Sequence, residues 1–170
     1  MEIMNYSKVS MINKKLCAVV TGGTRGIGLA IVKRLLKDGV DVIVTGTKKQ
    51  EKSPDGTRYL SVDFLDNGST LAFIKFLKQQ QIDILINNAG INQIGEFALI
   101  DIKDFDKILR VNLRAPFQSC QAVIPYMKKN NWGRIVNLTS IFSNITKKYR
   151  APYSSSKFGL DGMTAALAAE

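Results

Sequence analysis

Residues 21–28 read TGGTRGIG, and the position of this stretch decides which fold the sequence predicts. The apolar, β-branched run LCAVVTGG (16–23) leads into it and is typical of a buried strand. The stretch GIGLAIVKRLLKDG (26–39) follows, with apolar residues at helical spacing and a glycine at its end. A strand, a glycine-rich turn and an amphipathic helix in this order predict a loop that holds an anion at a helix N-terminus.

Each glycine of this loop has its own expected task. Gly22 allows a tight turn out of the strand, and Gly26 lets the backbone approach a pyrophosphate. Gly28 allows close packing of the helix on the strand. The spacing is G-x-x-x-G-x-G rather than the G-x-G-x-x-G of most dinucleotide-binding folds, but the physical needs are similar.

Strand and helix patterns alternate along the rest of the chain. The further predicted helices are 67–81, capped by Asn67 or Ser69, then 101–129, and a last one from Tyr153 to the end. Pro116 lies inside the second of these, so that helix either begins late or is kinked there. The further predicted strands are 40–46, 58–64, 82–90 and 133–140. This order predicts a single α/β domain over residues 15–170, a doubly wound parallel sheet of the Rossmann type, preceded by a loose extension over residues 1–14.

The composition excludes several classes of protein. The chain has 170 residues, 45% of them hydrophobic and 22% charged, which is typical of a globular domain. It has no apolar run that approaches the length of a membrane span, and its N-terminus lacks the apolar segment of a secretory signal, so we expect a cytoplasmic protein without membrane attachment. The net charge of +10 is spread over short lysine pairs, which argues against nucleic acid as a partner and favours an anionic cofactor or an acidic partner.

The residue inventory limits the chemistry further. The sequence has no histidine, which excludes Ser-His-Asp and Cys-His triads and most zinc sites, so no metal site is expected. Cys17 and Cys120 are far apart and lie in apolar patterns, which favours two buried thiols over a disulfide. Any catalysis must therefore use Tyr, Lys, Ser, Asn or carboxylate side chains.

The stretch RAPYSSSKFG (150–159) places Tyr153 and Lys157 four residues apart, on one face of a helix. Taken alone, its serines favour a polar helix start. Ordered markers elsewhere favour a catalytic role. They are TGGTRGIG (21–28), NNAG (87–90), Asn112 in RVNLRAPF, Ser140 in NLTS, and the Y-x-x-x-K pair itself. With these markers, residues 15–170 resemble the short-chain dehydrogenase/reductase family, in its small single-domain reductase branch.

The resemblance implies hydride transfer between a nicotinamide and a carbonyl or alcohol, with four catalytic residues. Tyr153 is the acid, Ser140 donates to the substrate oxygen, Asn112 helps to hold a water chain, and Lys157 also holds the nicotinamide ribose. A phenol ordinarily titrates near pH 10, and a lysine charge at about 5 Å favours the phenolate by roughly 3 kcal/mol at an effective dielectric near 20. Thr139 is the main alternative to Ser140, while the serines at 154, 155 and 156 are expected at the helix start and the rim of the pocket.

The cofactor is expected to be NADP(H). An acidic residue at the end of the second strand ordinarily selects NAD, but this sequence reads TGTKK there (45–49) and has no carboxylate to repel a 2′-phosphate. Arg25 and Lys48 could attract that phosphate, and the resemblance places Asp63 against the adenine and NNAG along the adenosine. The predicted cofactor-binding residues are Gly22, Thr24, Arg25, Gly26, Ile27, Gly28, Thr47, Lys48, Asp63, Asn88, Ala89, Gly90, Val111, Tyr153 and Lys157.

The substrate is less defined by the sequence. One hypothesis is an NADPH-dependent carbonyl reductase of the 3-oxoacyl-carrier-protein type, in fatty acid biosynthesis, because Lys147, Lys148 and Arg150 lie near Tyr153 and a carrier protein is acidic. A nucleotide-sugar epimerase or dehydratase is a second hypothesis, against which the three residues between Gly22 and Gly26 argue. A non-catalytic nucleotide-binding module is a third. The resemblance also implies a homodimer or homotetramer.

The last stretch, GMTAALAAE (162–170), stops within a helical pattern without a cap or a glycine. Five strands are predicted, where the family usually has seven. We therefore expect a chain that lacks the last strands, leaves the flank of the fifth strand exposed, and shows little turnover and marginal stability.

Overall fold

Five parallel strands form one sheet in the computed structural model, which describes residues 15–49 and 53–170. The strand order is β3-β2-β1-β4-β5, so the direction of winding reverses between β1 and β4. The predicted extension over residues 1–14 lies outside the described residues. The strands are β1 (Cys17–Val20), β2 (Asp41–Gly46), β3 (Thr57–Ser61), β4 (Ile84–Asn87) and β5 (Arg134–Asn137).

Helices cover both faces of this sheet, as the predicted doubly wound fold requires. Because successive side chains of a strand point to opposite faces, Val20 of β1 packs with Val32 of α1, whereas Val19 packs in a second cluster with residues of α2 and α4. Met163 and Leu167 of α5 lie against that second cluster. The helices are α1 (Gly26–Lys37), α2 (Asn67–Gln79), α3 (Ile102–Leu109), α4 (Ala115–Lys129) and α5 (Ala151–Ala169).

The helix predicted over residues 101–129 is divided in the structure. A π-helical turn, Arg110–Arg114, separates α3 from α4. Pro116 lies in the first turn of α4, directly after the π-helical turn. The sequence pattern did not reveal the π-turn, because one inserted residue barely alters apolar spacing.

Two helix starts differ from the predicted ones. Asp66, rather than Asn67 or Ser69, caps α2, because its carboxylate accepts the Ser69 backbone N–H at 2.6 Å. The last helix begins at Ala151 instead of Tyr153, with a proline in its first turn. Tyr153 therefore belongs to the first turn of α5, and its backbone position is fixed by that helix.

Strand β5 has a strand neighbour on only one side among the described residues. Val136 is 46% exposed, and a cavity of about 760 Å³ runs beside the strand, bordered by Ile124, Ile135 and Leu167. The expected exposure of this flank is confirmed.

Cys17 and Cys120 form no disulfide with each other, as predicted, but only Cys120 is buried as expected. Cys17 is half-buried, while Cys120 is buried, and burial raises the pKa of the Cys120 thiol to about 11. In residues 15–49 and 53–170, no helix combines the length and the apolar character that a membrane span needs.

Gly28 is a position where packing forbids a side chain. A Cβ there would collide with the Gly22 carbonyl oxygen and lie 2.5 Å from the Asn88 amide nitrogen. We predict that Gly28→Ala lowers the free energy of unfolding by about 1–3 kcal/mol, the range typical of overpacking. Urea denaturation followed by circular dichroism measures the effect.

The matched control is Gly162→Ala on α5, where a Cβ meets nothing within 4 Å. There the change should stabilise the helix by about 0.5–1 kcal/mol, because alanine is the better helix former. Equal effects of the two substitutions would contradict the close contact at Gly28.

Candidate active site

The glycine loop leaves β1 and enters α1 through two left-handed residues, Gly22 (φ 64°) and Gly26 (φ 55°). Residues with a side chain rarely adopt this conformation, so the turn depends on glycine. The backbone N–H of Gly22 donates to the Thr45 hydroxyl at 3.2 Å, which ties the loop to β2. Arg25, the N-cap residue of α1, makes no side-chain capping bond. The N–H groups of the first helical turn are thus open to a ligand.

Asn88, which follows β4, braces this loop from the other side. Its amide donates to the carbonyl oxygens of Thr21 and Gly22, both at 2.9 Å. The Thr21 hydroxyl in turn accepts from the backbone N–H groups of Asn88 and Ala89, each at 3.0 Å. Asn88 was predicted to line the adenosine half of the cofactor, and the structure adds that its side chain fixes the glycine loop.

A cavity of about 620 Å³ lies between these loops, at the carboxyl ends of the strands. This is where open α/β sheets bind ligands, at the point where the strand order reverses. Twelve of the fifteen predicted cofactor-binding residues line this cavity. Lys48, Tyr153 and Lys157 do not. The lining members of the prediction are Gly22, Thr24, Arg25, Gly26, Ile27, Gly28, Thr47, Asp63, Asn88, Ala89, Gly90 and Val111.

The residues at the ends of β2 and β3 fit a dinucleotide. Thr47 and Arg25 are exposed at the cavity, and the end of β2 contributes no carboxylate to its lining. Lys48 lies outside the lining, and its carbonyl oxygen accepts the Tyr59 hydroxyl at 2.6 Å. The Asp63 carboxylate accepts the Leu65 N–H at 2.8 Å, which fixes it at the cavity wall.

A second cavity, of about 410 Å³, adjoins the first, with which it shares Ile27, Asn88, Gly90 and Ile91. Three of the four predicted catalytic residues line it, namely Ser140, Tyr153 and Lys157. Thr139, the alternative to Ser140, also lines it, so the structure brings both hydroxyls to one place.

Lys157 is 5% exposed, although lysine is rarely buried. Its Nζ donates to the Leu138 carbonyl oxygen at 2.6 Å and lies 5.7 Å from the centroid of the Tyr153 ring. Burial lowers the pKa of Lys157, because removing the ammonium from water disfavours its charged form. The Tyr153–Lys157 spacing thus places a buried amine beside the phenol.

Asn112 is fully buried in the π-turn and does not line either cavity. Its amide oxygen accepts the Ile91 N–H at 2.8 Å, and its amide nitrogen donates to the Ile91 carbonyl oxygen at 2.8 Å. The same nitrogen donates to the Ser156 hydroxyl at 3.0 Å, and that hydroxyl donates to the Tyr153 carbonyl oxygen at 2.7 Å. Asn112 therefore joins the segment after β4 to α5, the helix that carries Tyr153 and Lys157.

The three serines at 154, 155 and 156 lie in the first two turns of α5, as expected, but the expectation that they line the pocket rim is wrong, because none of them lines either cavity. Ser156 is fully buried and belongs to the Asn112 network. Ser154 is also buried and shares a hydrogen bond with the Thr146 hydroxyl at 2.6 Å. Only Ser155 is exposed. Sequence could not separate them, because adjacent serines are alike until the helix is docked.

Two further residues of the second cavity were not predicted as site residues. Phe142 meets the Tyr153 ring edge to face, with centroids 6.2 Å apart, and its N–H donates to the Ser140 hydroxyl oxygen at 3.2 Å. The Arg150 guanidinium carbon lies 5.9 Å from the Phe142 centroid. The sequence associated Arg150 only with an acidic partner protein. Its position three residues before Tyr153, next to the start of α5, was the available signal.

In this sheet a glycine-rich turn leads into the N-terminus of α1 at the point where the strand order reverses. This arrangement defines a nucleotide-binding protein of the Rossmann type. Within that class, the model of the short chain dehydrogenase family matches residues 16–170. The chain belongs to this family of oxidoreductases. No group of three potential metal-ligating side chains occurs in the described part of the chain.

Individual relatives agree with this assignment. The chain is 32% identical to a D-beta-hydroxybutyrate dehydrogenase from Rhizobium meliloti, over 90% of this chain and 64% of the relative. It is 34% identical to a 3-oxoacyl-[acyl-carrier-protein] reductase from Chlamydia pneumoniae, over 95% of this chain and 69% of the relative. The crystal structure of a metagenomic short-chain oxidoreductase in complex with NADP superposes with a TM-score of 0.82 at 28% identity, over 89% of this chain and 73% of that one. The chain thus spans about two thirds of the length of these curated relatives.

The burial of Lys157 predicts a pH dependence of stability. The native state binds this proton more weakly than the unfolded state, so unfolding takes up a proton between the lowered pKa and the ordinary value of 10.5. Stability should therefore rise with pH across this window relative to Lys157→Met, and this gain should be lost as the pH falls through the lowered pKa. Urea denaturation of both proteins at a series of pH values measures the difference.

The control for this experiment is Lys75→Met, at an exposed position on α2. That variant should run parallel to the wild type over the same pH range. Parallel curves for Lys157→Met would show that Lys157 keeps an ordinary pKa in the folded protein.

Proposed function

We propose that this protein is an NADPH-dependent reductase that converts a ketone to an alcohol. The observation that carries the proposal is the joining of two cavities, one lined by the glycine loop and the other by Ser140, Tyr153 and Lys157. A cofactor bound along the first cavity would reach the second. There a carbonyl oxygen would meet a hydroxyl donor and an acid.

NADP(H) would supply the hydride when bound. Its pyrophosphate fits the first turn of α1, where N–H groups and the helix dipole favour an anion. A 2′-phosphate fits the open end of the cavity, at Arg25 and Thr47, because a guanidinium pairs well with phosphate. Asp63 and the NNAG segment are proposed along the adenosine, and Lys157 at the nicotinamide ribose.

The protein's own residues handle the proton. Tyr153 would donate its hydroxyl proton to the carbonyl oxygen as hydride reaches the carbon, which yields the alcohol. The ammonium of Lys157 would stabilise the phenolate that remains. The Ser140 hydroxyl oxygen already accepts from Phe142, so its hydrogen can donate to the substrate oxygen. Asn112 would hold Ile91 and Tyr153 at a fixed separation through its hydrogen bonds. It would also support a water chain that returns a proton to Tyr153.

The substrate proposed is a compound with its ketone at position 3 of an acyl chain. The names of the two curated relatives share oxygen at this position, one as a hydroxy acid and the other as an oxoacyl carrier conjugate. Lys147 and Lys148 are exposed and precede Arg150 of the second cavity by three and two residues, which supports an approach by an acidic carrier protein.

A second copy of the chain is proposed as an assembly partner. Phe117 on α4 and Phe158 on α5 are about half exposed, at 51% and 49%. A groove lined by Leu113, Phe117 and Met163 lies between the same helices. Exposed aromatic side chains beside this groove, whose lining also includes Asp106, Arg110 and Arg114, favour a homodimer through this face.

We expect NADPH to bind more tightly than NADH, because the end of β2 offers no carboxylate to the 2′-hydroxyl and Arg25 faces the 2′-phosphate position. Thr47→Asp should shift the ratio of the two affinities toward NADH by roughly tenfold, about 1.4 kcal/mol. Nicotinamide fluorescence titrations measure both constants. Gln121→Glu adds the same charge on the exposed side of α4 and should leave the ratio unchanged. Equal affinities in the wild type would refute this cofactor assignment.

Tyr153→Phe should lower ketone reduction by roughly 10²- to 10⁴-fold, the usual contribution of a positioned acid. NADPH affinity should be unchanged, because the ring and its contact with Phe142 remain. Ketone-dependent oxidation of NADPH, in any form of this protein that turns over, measures the loss. Substantial turnover by the variant would mean that another group supplies the proton.

A further inference from the structure

Arg150 lies in the wall of the catalytic cavity, rather than on the outer surface where its charge alone would place it. It is half-buried and immediately precedes α5, and its carbonyl oxygen accepts the Ser154 N–H at 2.8 Å. The guanidinium stands over the Phe142 ring, which in turn meets the Tyr153 ring. The Phe142 ring therefore lies between the Arg150 guanidinium and Tyr153, the proposed acid.

The cavity leaves this cation without a counterion. Its lining contains two basic residues, Arg150 and Lys157, and none of its lining residues is Asp or Glu. In the described part of the chain, the ion pairs join Lys15 to Asp41, Arg34 to Asp38 and Lys107 to Asp104, and none includes Arg150. Lys157 donates to the Leu138 carbonyl oxygen and is proposed at the nicotinamide ribose, which leaves Arg150 as the cation for an anionic group of the substrate.

We propose that Arg150 binds a carboxylate carried by the substrate itself, so that the preferred substrate is a free 3-oxo acid. This inference rests on the proposed function and narrows its substrate class. A guanidinium pairs with a carboxylate through two parallel hydrogen bonds, which fixes orientation as well as position. With the ketone at Ser140 and Tyr153, a carboxylate two carbons away would point towards Arg150. The Asn92 amide lines the same cavity and can add a donor.

The position of Arg150 favours a carboxylate over the phosphate of a carrier or coenzyme thioester. A pantetheine arm separates its phosphate from the thioester carbonyl by a long flexible chain, so that phosphate would lie outside the cavity when the ketone is at Tyr153. Arg150 lines the same cavity as Ser140 and Tyr153, so its place suits a charge on the substrate itself. A cavity of about 410 Å³ also suits a small acid.

The test compares acetoacetate with ethyl acetoacetate, which has the same ketone and no charge. Isothermal titration, with and without saturating NADP⁺, measures both dissociation constants and needs no turnover. The wild type should bind acetoacetate roughly tenfold or more tightly than the ester, as expected for hydrogen bonds to a charged group. Arg150→Gln should abolish this preference, and Arg150→Lys, which keeps the charge without the fork, should retain part of it.

The controls separate this site from general charge effects and from folding. Lys75→Gln removes one exposed positive charge on α2 and should keep the full preference. Circular dichroism and NADPH titration establish that each variant is folded, and Arg150→Lys preserves the cation if Arg150→Gln does not fold. Acetoacetyl-coenzyme A is the third ligand, whose affinity should be insensitive to Arg150→Gln.

Three results of the titrations would overturn the proposal. They are no preference for acetoacetate in the wild type, the same loss in Lys75→Gln as in Arg150→Gln, or an Arg150 dependence confined to the coenzyme A thioester. Reduction of both ketones at equal efficiency would overturn this inference and leave the reductase function in place. An Arg150-dependent preference for acetoacetate in a protein that binds no cofactor would support this inference and overturn the reductase function.

Discussion

Two hydrogen bonds from the Asn88 amide, to the carbonyl oxygens of Thr21 and Gly22, hold together the ends of β1 and β4, and the site depends on both of these ends. These oxygens belong to the turn out of β1, while Asn88 follows β4, so one side chain spans the point where the sheet reverses its winding. Such buried carbonyl oxygens need a donor. Gly28 closes the same junction, because its missing side chain lets α1 approach both Gly22 and Asn88.

A second set of hydrogen bonds links the segment after β4 to α5. Asn112 satisfies both backbone groups of Ile91 and then reaches Ser156 on α5. The π-turn supplies the extra residue that turns Asn112 inward, in keeping with the frequent occurrence of such turns at functional sites. The Asn87 amide nitrogen donates to the Asn137 amide oxygen at 2.8 Å, and Asn137 donates to Thr164 at 2.9 Å, which ties β4 and β5 to the same helix. The orientation of α5 is therefore set by polar contacts as well as by its apolar face.

The hydrogen bonds at these two junctions position α5 so that positively charged side chains line the second cavity. Burial makes the ammonium of Lys157 costly, and the Leu138 carbonyl oxygen offsets part of that cost. Because neither an aspartate nor a glutamate lines the cavity, the positive charges of Lys157 and Arg150 are not neutralised by it. The fold thus holds two cations where an anionic cofactor and a polar carbonyl group are proposed to meet.

The sequence by itself determined the sheet and most of the site. Apolar runs that end in glycine or asparagine, each followed by helical spacing, predicted five parallel strands, because local hydrophobic periodicity fixes which residues can be buried. The glycine loop and the Tyr153–Lys157 pair lie within single strand–turn–helix or helical units, where spacing dictates geometry. The resemblance that these motifs carry placed Ser140, Tyr153 and Lys157 at one site, and it anticipated twelve of the eighteen residues that line the first cavity.

Only the tertiary structure decided which of the similar polar residues are buried and what they contact. Ser154 and Ser156 look like Ser155 in the sequence, but docking of α5 buries two and exposes one. The sequence could not show that Asn88 braces the glycine loop, because that contact joins residues 67 positions apart in the chain. Nor could it show that Arg150 lies over Phe142, because that contact depends on the path of the loop between them. Local patterns encode burial and period, whereas the partner of a polar side chain is set by how distant elements pack.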